Sequence, residues 1–190
     1  MSRAASGSSS PATVSCAPAG SFVLIPPEVP HERTARPRSR WFHLFSPPGI
    51  ERWFVERERM REAGATADAI DAASRRYGVR TAPRPPAAIH AVIPDAPTER
   101  RVLADGSHTK SAYGVTEYAD VLWRDPQPPH RDEDADESLY VAAGEFEVQT
   151  EGRSIRVVPG TFVFMPRGVV QAVRELPGAS ARYIAIRSPA

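Results

Sequence analysis

Apolar and polar positions change rhythm twice along this chain. Phe22–Ile25 is a short apolar run closed by Pro26-Pro27, and Trp41–Phe45 is another, closed by Pro47-Pro48-Gly49. Runs of that length between turn residues predict strands. The spacing then becomes helical. Ile50, Trp53, Phe54 and Met60 fall near one face, with Glu and Arg opposite, and Gly64 ends the pattern. A second helix is predicted from Thr66 as N-cap to Tyr77, with Gly78 just past its end. Ala69, Ile70, Ala73 and Tyr77 would form its buried stripe. Thr81 to Pro97 holds five prolines and reads as a linker or extended arm. Ile89, Ala91 and Ile93 alternate within it, as along a sheet edge.

From Val102 onward the pattern is all β. Short strands are predicted at Ala112–Glu117, Asp120–Arg124, Ser138–Ala142, Glu145–Thr150, Ser154–Val158, Thr161–Met165, Ala172–Glu175 and Arg182–Ile186. Turn pairs separate them: Asp105-Gly106, Ala143-Gly144, Glu151-Gly152, Pro159-Gly160, Arg167-Gly168 and Pro177-Gly178. Many short strands at even spacing mean a sandwich or barrel. Glu151-Gly152 is the clearest hairpin turn, between Phe146–Gln149 and Ile155–Val158.

Composition narrows the class without choosing a function. The 190 residues are 41% hydrophobic and 25% charged with a net charge of +1, which suits a globular domain and points to neither nucleic acid nor membrane. Nearly all positive charge is Arg, with Lys110 the sole Lys. No apolar run approaches the roughly 20 residues of a membrane span. Met1–Ala19 is rich in Ser, Ala and Pro, has no apolar core of signal-peptide length, and is expected to be disordered to about Ser15. Cys16 is the only cysteine, so no internal disulfide can form, and a reducing, cytoplasmic setting is the expectation.

The chain also repeats itself. Gly20-Ser-Phe-Val-Leu-Ile-Pro26 matches Gly160-Thr-Phe-Val-Phe-Met-Pro166. Arg40-Trp-Phe-His-Leu-Phe-Ser-Pro47 matches Arg182-Tyr-Ile-Ala-Ile-Arg-Ser-Pro189, with a two-residue insertion placed at 176–179. Two blocks in one order read as the back half of one barrel, residues 18–47, followed by a whole second barrel, residues 98–190.

Two motifs carry a family resemblance. Pro128-Pro-His130-Arg-Asp132, followed by Glu137 and Gly144, resembles the first cupin motif: H-x-H, a short spacer, Glu, six residues, Gly. Gly160-x5-Pro166-x-Gly168-x2-Gln171 resembles the second, which normally ends in His. Gly20-x5-Pro26-x-Glu28-x2-His31 is a further copy of the second motif with its His kept. Ser46-Pro-Pro-Gly-Ile-Glu-Arg-Trp-Phe54 and the helices after it resemble the C-terminal tail of quercetin 2,3-dioxygenase-like cupins. The resemblance implies an all-β cupin double-stranded β-helix, a jelly-roll barrel, with an N-terminal half-cupin fragment and a two-helix connector. The expected domains are a disordered N-terminus (1–17), a partial cupin (18–47), a helical connector (48–80), a Pro-rich linker (81–97) and a complete cupin barrel (98–190).

The resemblance also implies a metal site, here altered. H-x-H sends two side chains to one face of a strand. In this chain the matching positions are His130, Asp132 and Glu137, with Gln171 in place of the last His. One imidazole, two carboxylates and an amide weaken a transition-metal site. Either a divalent metal (Fe, Mn, Ni, Cu or Zn) binds to His130, Asp132, Glu137 and Gln171, or the site is vestigial and takes none. The two functional expectations follow from that choice. One is a non-catalytic cupin module or binder of a small molecule inside the barrel. The other is a metal-dependent, quercetin 2,3-dioxygenase-like oxidoreductase acting on a small aromatic or polyketide-like substrate. His31 lacks partners from a first motif, and His43, His90 and His108 match no motif. Tyr140, Phe146, Phe162, Phe164 and Trp123 are expected in the core or cavity lining. The heavy aromatic load of Trp41, Phe42, Phe45, Trp53 and Phe54 predicts an interface: a homodimer, or packing of the N-terminal strands on the barrel.

Overall fold

Turn residues cut the C-terminal half into strands short enough to fold back on one another, and the result is two antiparallel sheets facing each other. The computed structural model describes residues 16–80, 90–92, 99–119 and 128–189. The strands are β1 (Phe22–Leu24), β2 (His90–Val92), β3 (Arg100–Ala104), β4 (Gly114–Ala119), β5 (His130–Arg131), β6 (Ala135–Gly144), β7 (Phe146–Thr150), β8 (Arg153–Val157), β9 (Phe162–Met165), β10 (Val170–Glu175) and β11 (Ala181–Pro189). One sheet has the order β3-β4-β11-β6-β9, the other β5-β10-β7-β8, and β1 pairs with β2. This is the jelly-roll cupin barrel that the motifs imply. The expected strand over 120–124, with Trp123, lies outside the described residues, as do residues 1–15, for which disorder is expected, and all of the Pro-rich stretch except residues 90–92.

The barrel interior is apolar because alternate residues of both sheets point inward. Leu139, Val141, Met165, Ala181, Tyr183 and Ala185 from one sheet meet Phe146, Val148 and Val157 from the other. Each fully buried Val, Leu or Phe contributes about 1.5–3 kcal/mol. The Glu151-Gly152 turn joins β7 and β8 as expected, with both φ angles positive (46° and 75°), the geometry of a two-residue type I′ hairpin. Gly144 is obligatory for a different reason. A Cβ there would lie 1.7 Å from the Ser180 carbonyl oxygen, so β6 and β11 could not close on each other at Gly144↔Ala181.

The outer face of the larger sheet carries a second cluster, Leu103, Ala104, Val115 and Ile186, covered by Phe22 of β1 and Val92 of β2. The N-terminal strand is therefore packed on the barrel. A buried carboxylate reinforces it: Glu117 is 7% exposed. It accepts from Arg101 Nε at 2.8 Å and Arg182 Nε at 2.6 Å, and Arg101 Nη2 also donates to the Gly20 carbonyl at 3.0 Å.

The internal repeat is partly a structural one. Gly20 and Gly160 both have positive φ (85° and 88°), after matching turns closed by Ser21 N–H to Pro18 O and Thr161 N–H to Val158 O. Glu28 and Gly168 again match, at φ 64° and 77°. The second block departs from expectation. Residues 182–189 lie in β11, flanked by β4 and β6, whereas Trp41–Phe45 is not a strand. No neighbouring strand among the described residues takes up its backbone hydrogen bonds, and an apolar run without a ladder partner has nothing to hold it extended.

By contacts the chain divides into two compact units, the boundary falling at Pro26/Pro27 and again at Ala88/Ile89. The smaller unit holds the two expected helices, α1 (Ile50–Glu62) and α2 (Ala67–Ser74), followed by a 3-10 turn to Tyr77. Thr66 caps α2 by accepting from Ala69 N–H at 3.3 Å, and Gly78 ends the segment at φ 73°. Trp53, Ala73 and Ser74 are buried, and Tyr77 donates to Glu56 Oε2 at 2.5 Å. Ala69 is exposed, not buried. Trp41, Phe42, Leu44 and Phe45 are also exposed.

Candidate functional site

The first motif lands on β5, the turn after it and β6; the second runs from the turn before β9 through β9 and the β9–β10 turn to β10. Backbone and side-chain bonds tie the two motifs together. Gly168 N–H donates to the Asp132 carbonyl at 2.7 Å. Arg167 donates to Asp136 from its backbone N at 2.9 Å and from Nη2 at 2.8 Å, which holds the Asp136 carboxyl down at about 2. The spacing of the motifs is thus also what closes this end of the barrel.

Three of the four residues singled out in the sequence come together. His130 on β5 is the cross-strand partner of Gln171 on β10, so both side chains leave the same face. Gln171 reaches across the interior to Glu137 on β6, its Nε2 donating to Oε2 at 3.4 Å. With Glu137 ionised the amide must point this way, because an ionised carboxylate only accepts. His130 is exposed, its Nδ1 3.2 Å from the Pro128 carbonyl oxygen. Gln171 is 3% exposed, and its Oε1 is buried with no hydrogen-bond partner among the described residues. Burial pushes the Glu137 carboxyl above its ordinary value; the charge of His130 opposes this, Asp132 adds to it and Arg187 opposes it.

Asp132 does something else. Its Oδ2 accepts from Arg187 Nη2 at 2.6 Å and Nε at 3.1 Å, while Oδ1 accepts from the backbone N–H of Asp134 at 3.0 Å and Ala135 at 3.1 Å. The Arg187 bond, first, and the backbone donors hold its carboxyl below the usual range. Arg187 is the residue that sequence reasoning missed. It is the cross-strand partner of Glu137 on β11, and nothing short of the β6–β11 register reveals that. Tyr183 and Tyr118 were missed for the same reason. Their rings stack at 5.0 Å, and Tyr183 meets Phe146 at 5.2 Å. Tyr183 is held protonated by burial first, then by Tyr118 and Glu137. Among the aromatics expected inside, Phe146 is in the core, but Phe162 and Phe164 on β9 are 49% and 59% exposed. Among the described residues β9 is an edge strand, and Phe162 and Phe164 pair with Tyr140 and Ser138 on the outer face. His31 is exposed, with Nδ1 2.9 Å from its own neighbour's carbonyl at Val29.

The metal implied by the resemblance does not fit this donor set well. Among the described residues no group of three His, Cys, Asp or Glu side chains is placed to share an ion. The Asp132 carboxylate is taken up by Arg187 and the turn amides, and the Arg187 cation stands beside Glu137. What remains is one imidazole, one carboxyl group and one amide.

Comparison with known proteins agrees with the fold. Residues 124–187 match the Cupin_2 family of cupin domains. Over that segment the barrel is similar to cupin domains. Similar solved structures include the polyketide cyclase RemF from Streptomyces resistomycificus, at 27% identity over 47% of this chain and 63% of that one, TM-score 0.42. KdgF from Halomonas sp. matches at 24% identity over 51% and 86%, TM-score 0.41. A cupin protein from Bacteroides fragilis matches at 14% identity over 52% and 83%, TM-score 0.44. This chain therefore spans less than two thirds of RemF. No curated protein matches it. No helix among the described residues is long and apolar enough to cross a membrane.

Proposed function

We propose that this cupin barrel binds a small molecule at the end lined by His130, Glu137 and Gln171, and does so without a metal. The observation that carries the reading is the diversion of Asp132: Arg187 and the turn amides take the carboxylate that would have been the second H-x-H ligand. The polar residues that remain face an apolar, Tyr-lined interior, the usual composition of a small-molecule site. The second reading is a metal-dependent, quercetin 2,3-dioxygenase-like oxidoreductase. Its support is the convergence of His130, Glu137 and Gln171 from three strands. In it those three residues would hold the ion, and the ion would supply a site for substrate oxygen atoms.

Metal analysis of the purified chain, before and after dialysis against chelator, separates the two readings. The expected result is well under one metal per chain, unchanged in His130→Ala. Stoichiometric metal that His130→Ala removes would overturn the metal-free reading, because losing the only imidazole takes away the strongest donor.

A further inference from the structure

We propose that the barrel holds its ligand by a hydroxyl group seated between the Gln171 amide oxygen and the Glu137 carboxyl group, which makes the ligand a small phenol or alcohol, with two adjacent hydroxyls fitting best. The inference rests on the metal-free reading above and adds the chemical class of the ligand.

The starting point is Gln171. Its Nε2 faces Glu137, and its Oε1 is buried without a partner among the described residues. Buried polar atoms are almost always paired, and one left over calls for an explanation. An amide oxygen accepts and cannot donate, so whatever completes it must bring an N–H or O–H. Glu137 lies within hydrogen-bond reach of the same amide and is a second acceptor when ionised. Two acceptors side by side ask for two donors.

Charge decides which donor. A ligand ammonium would have to sit beside Arg187, the cross-strand neighbour of Glu137, whose guanidinium already serves Asp132. A ligand carboxylate or phosphate would face Glu137 and the Gln171 oxygen, both electron-rich. A neutral hydroxyl meets neither obstacle. The remaining wall is aromatic. Tyr183 lies close enough to Glu137 to feel its charge, stacks on Tyr118, and meets Phe146. These rings belong to the packed core, Tyr183 being 4% and Phe146 1% exposed, and they make the surroundings of Glu137 aromatic.

The test is calorimetric titration of the full chain with catechol and with 1,2-dimethoxybenzene, which keeps the ring and both oxygens but loses both donors, each with and without EDTA. Catechol is expected to bind at least tenfold more tightly than the diether, because the diether leaves the buried acceptors unpaired. Gln171→Met should weaken catechol about tenfold and so narrow its advantage over the diether. An NMR titration of the unmodified chain reads the same contact without a variant: the Gln171 side-chain amide resonances should shift with catechol and stay in place with the diether. Equal binding of the two probes, or an unmoved Gln171 amide, would overturn the hydroxyl inference while metal-free binding stands. Catechol binding that disappears with EDTA would overturn the metal-free reading beneath it. No catechol binding under either condition also overturns the inference.

Discussion

Glu117→Gln tests the packing of the N-terminal strand on the barrel. The substitution keeps the side-chain volume and removes the charge that Arg101 and Arg182 share. The two arms are not equal. The Arg182 side chain is 40% exposed, so water screens it and its pair contributes about 0–1 kcal/mol. The Arg101 side chain is only 16% exposed, and removing one partner of a buried pair costs about 3–5 kcal/mol. The Gln oxygen still accepts one bond from Arg101, so the expected loss lies near the lower end, about 3 kcal/mol. For a chain of this size that lowers Tm by about 6–12 °C. Arg101 also anchors the Gly20 carbonyl, so hydrogen exchange in β1 should speed up in the same variant. Thermal melts followed by near-UV circular dichroism, which sees the Tyr118–Tyr183 stack, give the Tm; exchange mass spectrometry gives the protection of residues 22–24. Arg182→Ala should shift Tm by no more than 4 °C. A Glu117→Gln variant within 2 °C of the parent, or an Arg182→Ala variant that loses as much as Glu117→Gln, would refute the reasoning.

Two further outcomes are expected. Burial raises the Glu137 carboxyl above its ordinary value of 4.5, so the folded chain keeps this proton to higher pH than the unfolded chain. The resulting stability is fully present below that ordinary value and is lost as pH rises through the raised one. Glu137→Gln should therefore gain on the parent in urea melts as pH goes from 4 to 7; a gap that stays constant or shrinks would show that Glu137 is not desolvated. The exposed Phe164 on edge strand β9 supports the proposal that the chain is a homodimer; light scattering at micromolar concentration should return twice the chain mass, and a monomer mass would count against it.

What the sequence determined by itself was everything that depends on neighbours along the chain. The strand pattern from Ser138 onward, the Glu151-Gly152 hairpin, the Thr66 cap and the Gly78 stop are local chemistry, and the structure has them. The two motifs named the cupin barrel because they combine side-chain alternation with glycines at special positions, such as Gly144 against Ser180. Only the tertiary structure decided what depends on partners. Trp41–Phe45 carries the same apolar signal as β11 yet forms no strand, since a strand exists only where another strand takes its hydrogen bonds. Asp132 stands where a ligand is expected, and its role turned on Arg187, 55 residues away in sequence and brought to it by the β6–β11 register. Burial did the rest. An exposed Gln171 would be paired by water; at 3% exposure its oxygen is left facing the interior, and no reading of residue types along the chain contains that fact.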